Sequence, residues 1–133
     1  MRKVKAMPVD ISWNADLPIF ASEPFLKAVG DDCGWIGGVD DSGKQLCILP
    51  YVVTRAMGIR MVRFRVETIP LVENFDIEEE RDFLTSAVGN LRTMGADVII
   101  PATTNTIFRT YPAGADAAPY ATYPFSCFCL SIL

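Results

Sequence analysis

Arg63 and Arg65 stand two residues apart in IRMVRFRVET (59–68), where apolar and polar residues alternate. On a strand that spacing puts both guanidinium groups on one face with Met61 and Glu67, while Val62, Phe64 and Val66 share the other. Two cations so placed could hold a carboxylate or phosphate. The plainer reading is a solvated strand face with Glu67 as ion-pair partner. Arg109 and Tyr111 precede a Pro/Gly/Ala loop and could line a substrate channel or simply anchor the loop. Tyr51 and Tyr120 could place phenols at strand ends near a cleft, or pack. Thr103, Thr104 and Asn105 follow an apolar strand, a place where α/β sheets bind ligands, and would equally serve as turn or cap residues. Trp35 reads as core, and Asp31, Asp32, Asp40 and Asp41 read as turn residues. We therefore single out Arg63, Arg65, Arg109, Tyr111, Tyr51 and Asn105 as substrate-binding positions. No catalytic residue is assigned.

The chain has no histidine. That removes Ser-His-Asp and Cys-His nucleophile systems and the His-bearing zinc sites. Its four cysteines, Cys33, Cys47, Cys127 and Cys129, form no CxxC pair. Cys33 and Cys47 read as buried thiols of a reducing cytosol, and the lone CxC at 127–129 is a poor metal site, so no metal is expected.

With 133 residues the chain is expected to be one domain, and half of it is hydrophobic, which excludes disorder. Surface scaling gives about 7,000 Å² exposed when folded against about 21,000 Å² unfolded, enough burial for a core without disulfides or metal. The net charge of −4 argues against a general nucleic-acid binder, and no nucleic-acid groove is evident. No signal peptide and no membrane span are read, so a cytoplasmic location is expected.

The elements that would position these side chains follow from pattern. Residues 2–11 read as a strand, at an edge because of Pro8. Ser22 caps a short helix with Pro24 in its first turn and Gly30 as its C′ residue. Residues 33–39 and 45–55 flank Asp40-Asp41-Ser42-Gly43 as a hairpin of unfixed register. Both strands are apolar on both faces, so the hairpin should be central and covered on each side. Gly58 turns the chain into the 59–68 strand. Asp76 opens the principal helix, with Glu79 completing a capping pattern and Glu78 to Glu80 favouring the positive end. Its buried stripe is Phe83, Leu84, Ala87, Val88, Leu91 and Met94; Gly89 weakens it by about 1 kcal/mol, and Gly95 stops it. Residues 97–101 read as an apolar strand, in parallel αβ pairing. Residues 102–111 are a short helix or turn, 112–119 a loop, and 118–125 a last strand. The order is β-α-β-β-β-α-β, then loop and strand.

Three stretches carry a resemblance: FASEPFLKAVGDDCGWIGGVDDSGKQLCILPY (20–51), the amphipathic helix into GADVIIP (95–101), and IFRTYPAGADAAPYATY (107–123). Together they resemble the N-terminal half of Fem-type, GNAT-like acyltransferases, the peptidoglycan interpeptide-bridge-forming, lipid II:glycine glycyltransferase-like enzymes. The resemblance spans residues 1–123. It implies an α/β (α+β) fold, a GNAT-like mixed sheet with a central antiparallel hairpin and flanking helices, incomplete at the C-terminus. It also implies transfer of an acyl or aminoacyl group to an amine, between two such halves, with a peptidoglycan precursor or another small molecule as acceptor. That reaction needs a neutral amine, a stabilised tetrahedral oxyanion and a positioned donor. Arg63 and Arg65 would then hold the precursor's anionic group, and Arg109 and Tyr111 would line the acceptor channel.

An active GNAT-like half holds the donor's pyrophosphate on a Gly-rich loop at a helix N-terminus. Here that loop reads Leu71-Val-Glu-Asn-Phe75, without glycine, and Glu73, Asp76, Glu78, Glu79 and Glu80 crowd the same helix end. No cofactor is therefore expected on this half, while acyl-CoA or aminoacyl-tRNA is implied for a full-length relative. The chain is expected to be inactive alone, and the alternative is a non-enzymatic binding module that kept the fold. Residues 124–133 depart from the family as an apolar tail. Left in water, its side chains would forgo roughly 8–15 kcal/mol. The tail is expected to pack on the sheet or to pair with a second copy as a homodimer.

Overall fold

The computed structural model describes residues 2–11, 14–100, 108–115 and 130–131. The elements are β1 (Lys5–Val9), a 3₁₀ turn (Ile19–Ala21), α1 (Glu23–Val29), β2 (Asp32–Val39), β3 (Gln45–Ala56), β4 (Ile59–Phe64), β5 (Ile69–Pro70), α2 (Ile77–Thr93), β6 (Val98–Ile100) and β7 (Leu130–Ser131). The strands form one mixed sheet in the order β1-β2-β3-β4-β6-β7, with β5 beside β3. β4 and β6, joined through α2, pair in parallel; the other pairs are antiparallel. The coarse class is a mixed α+β sheet with two helices, and the crossover pairing expected after the long helix is present.

The hairpin is central, as its apolar faces demanded. Asp40 Oδ1 accepts the N–H groups of Ser42 and Lys44, and Gly43 takes φ +84° to close the turn. β3 is buried from Leu46 to Val53. Its Cys47, Leu49, Tyr51 and Val53 join Phe83, Leu84, Ala87 and Leu91 of α2 in the main core. On the opposite face Val52 meets the end of α1, whose Leu26 is wholly buried.

β1 lies at the sheet edge, and α2 closes that edge. The Val4 N–H donates to Asp82 Oδ2 and the Ala6 N–H to Ser86 Oγ, both at 2.8 Å. Pro8, next in the same phase, has no N–H to leave open.

Several expectations change. Gly30 ends α1 at φ −151°, an extended rather than left-handed residue. Its smallness matters instead, because a Cβ there would lie 2.8 Å from Val52 Cβ. The 59–68 strand stops at Phe64. Tyr51 pairs with Phe64 and Ile48 with Ile69, so three steps back along β3 match five forward steps opposite. The two extra residues form a bulge, after which pairing resumes as β5. Val66 falls in this bulge and is half-buried rather than core. Met94 is the C-cap of α2, 38% exposed, and so lies off the buried stripe.

At the C-terminal end Leu130 and Ser131 pair with Ile99 and Val98 of the same chain. The last strand expected at 118–125 lies outside the described residues. Among the described residues no helix is long and apolar enough to cross a membrane.

Candidate functional site

The carboxyl ends of the parallel strands β4 and β6 and the N-terminus of α2 are where this kind of sheet would present groups to a ligand. Asn74, at φ +62°, and buried Phe75 lead the chain into the helix. Asp76 is the N-cap. Its Oδ1 accepts the Glu79 N–H at 2.7 Å, and Glu79 Oε1 accepts the Asp76 N–H at 3.3 Å, completing the capping box. Two donors that a bound anion would need are thus satisfied by the protein's own carboxylates.

Two arginines from distant segments then neutralise the same helix end. Arg2 Nε donates to Glu79 Oε2 at 2.6 Å. Arg109 Nε donates to Glu80 Oε2 at 2.8 Å, its Nη2 to the Phe75 carbonyl at 2.8 Å, and its guanidinium lies 5.9 Å from the Phe75 ring centre. Glu79 and Glu80 are buried, 3% and 4% exposed. Their acidities diverge. The Arg2 hydrogen bond holds the Glu79 pKa below the ordinary carboxyl value. Burial raises that of Glu80, against the opposing hydrogen bond from Arg109. Glu73 and Glu78 remain exposed.

Of the two roles open to Arg109 the contacts match the loop anchor. Ala113 reinforces it by donating its N–H to Thr85 Oγ1 at 2.9 Å. Tyr111 packs half-buried against the core. Tyr51 is buried in β3; its hydroxyl sits where a Cβ on Gly34 would come within 2.5 Å, and burial raises its pKa. It also lines a cavity of about 10 Å³ with Arg60, Leu91 and Met94, room for about one water. Asn105, with Thr103, Thr104 and Tyr120, lies outside the described residues.

Arg63 and Arg65 are half-buried. Arg63 Nη2 approaches Met61 Sδ at 3.8 Å, while its Nε is buried without an acceptor. Glu67, the expected ion-pair partner, is exposed and forms no salt bridge with Arg63. Arg65 has an interaction of its own. The structure therefore brings Arg109 to the α2 end and leaves Arg63 and Tyr51 elsewhere on the sheet.

The remaining groups take structural duties. Trp35 Nε1 donates to the Ala21 carbonyl at 2.8 Å, and Asp31 Oδ2 accepts the Arg55 N–H at 2.8 Å. Cys33 and Cys47 are free thiols, and burial pushes the Cys47 pKa up to about 12. Among the described residues no group of three or more Cys, Asp or Glu side chains is placed to hold a metal. Sequence reading passed over Arg2, Asp82 and Ser86. The i, i+4 spacing of Asp82 and Ser86 on one helix face was the one available signal for the last two.

No family model matches the chain, and no curated protein matches it.

Proposed function

We propose that this chain is the donor-blind first half of a two-part, GNAT-like acyl or aminoacyl transferase. It would act on an amine acceptor such as a cell-wall precursor in the cytoplasm, and would be inactive alone. The observation that carries the reading is the occupied N-terminus of α2. At the position where such a sheet would receive a phosphate, Asp76 and Glu79 accept each other's amides, and Glu79 and Glu80 are buried beneath Arg2 and Arg109. An arriving pyrophosphate would meet carboxylates, with the Asp76 and Glu79 amides already engaged in the capping box. These residues do not fit coenzyme A.

The element order supports the same reading. Four antiparallel strands, β1 to β4, precede the long helix and a strand parallel to β4, a mixed sheet of the kind the resemblance implies. Isothermal titration with acetyl coenzyme A tests the proposal. No saturable heat is expected, and micromolar binding would overturn it. Mixing the chain with a second GNAT-like half encoded beside it should yield acyl transfer to an amine, which a simple binding module would not support.

A further inference from the structure

The sheet face turned away from α2 is covered by α1 over β2 and β3. Over β4 and β6 the same face presents Met61, Arg63, Val98 and Ile100, all half-buried. Val98 is level with Met61, and Ile100 with Arg63. Arg63 belongs to this face because its register partner, Val52, packs against Gly30 at the end of α1.

Three features coincide at Arg63. Its Nε is buried and has no acceptor, which forfeits the desolvation of a charged donor without a hydrogen bond in return. Its Nη2 faces Met61 Sδ, a weak acceptor that an oxygen would readily displace. It also stands level with the last residue of β6 and next to the last of β4, at the carboxyl ends where sheets of this kind bind ligands.

We propose that this face is an oxyanion site. Arg63 donates Nε–H and Nη–H to a carboxylate or phosphate, and Met61, Val98 and Ile100 receive the apolar body attached to it. The site rests on the transferase reading only for its purpose, to hold the acceptor by its charged end. Oxyanion binding itself requires no second half and no donor.

The test is the Arg63 Nε–H resonance of the full chain, assigned by its loss in Arg63→Lys. The chain is titrated at constant pH and ionic strength with inorganic phosphate, acetate and hexanoate. A saturable shift of Arg63 Nε–H, absent from exposed Arg81, is expected. Hexanoate should bind more tightly than acetate, and Arg63→Lys, followed through the backbone amide shifts of Met61 and Ile100, should weaken the best ligand about tenfold. A response to phosphate alone would assign a phosphate headgroup, and a response to the carboxylates alone a carboxylate-bearing substrate. No saturable shift, or equal shifts at Arg63 and Arg81, would overturn the site. That failure would leave the transferase reading to its own donor and partner-half tests.

Discussion

Ser86 Oγ accepts the backbone N–H of Ala6 at 2.8 Å, one helical turn beyond Asp82, whose Oδ2 accepts the N–H of Val4 at the same distance. Four residues of helix advance about 6 Å and two residues of strand about 6.7 Å, so helix and edge strand run in step. An edge strand otherwise offers unpaired donors to other chains. Here a helix takes the place of the missing neighbour.

Removing both acceptors should open that edge. Asp82→Ala with Ser86→Ala is expected to destabilise the fold by about 2 kcal/mol, from two part-buried donors left unbonded. The variant should also self-associate with rising concentration. Urea denaturation and light scattering check the two effects, and an unchanged monomer of unchanged stability would contradict the ladder.

Extending the same spacing by four helix residues and two strand residues sets Asn90 against Pro8 as the expected next step. Asn90 Oδ1 is buried without a partner, and proline has no N–H to give it. Pro8→Ala supplies that donor. In a double-mutant cycle with Asn90→Ala, the two positions should show a coupling of about 1 kcal/mol. Zero coupling would place Asn90 off the ladder.

Arg109 holds a carboxylate that burial would rather protonate. Because the Glu80 pKa is raised in the folded state, the native protein binds that proton more tightly than the unfolded chain. The contribution of Glu80 to stability therefore falls as pH rises from the ordinary carboxyl range through its raised value. Arg109 opposes that fall. Arg109→Met should cost about 2 kcal/mol near neutral pH, less than for a fully buried pair because Arg109 is itself 45% exposed. The cost should shrink as the pH falls and Glu80 takes up its proton. Denaturation of both proteins across that range measures the difference, and a pH-independent cost would refute the assignment.

Two glycines should respond oppositely to alanine. A Cβ at Gly38 would lie 2.6 Å from Cys47 Sγ and 2.8 Å from Phe83 Cδ1, whereas one at Gly89 would meet nothing within 4 Å. Gly38→Ala should therefore destabilise by about 1–3 kcal/mol through overpacking. Gly89→Ala should stabilise by about 1 kcal/mol through helix propensity. Thermal unfolding of the pair gives the comparison directly.

Local chemistry was legible in the residues themselves. Asp76 and Glu79 announced the start of α2, Ser22 that of α1, and Asp40 to Gly43 the hairpin, because capping and turn rules act over a few residues. The apolar stripe of α2 and the unbroken apolar run of β3 foretold which surfaces would be buried. What ended β4 at Phe64 was invisible, since the bulge depends on how β5 aligns with β3. The fate of Glu80 was equally hidden. Its neighbours in sequence suggested a solvated acid favouring the helix dipole, yet it is buried beneath Arg109.

The sequence alone thus determined where the two helices begin, that 33–39 and 45–55 form a hairpin, and which histidine-dependent chemistries are closed to the chain. Only the tertiary structure decided that Arg2 would clamp Glu79 from 77 residues away, that Asp82 and Ser86 would close the β1 edge, and that the Nε of half-buried Arg63 would be shut from water without an acceptor. Caps, turns and periodicity are set by neighbours along the chain. Burial and charge pairing depend on which distant segments the sheet register brings together, and no short stretch of residues encodes that meeting.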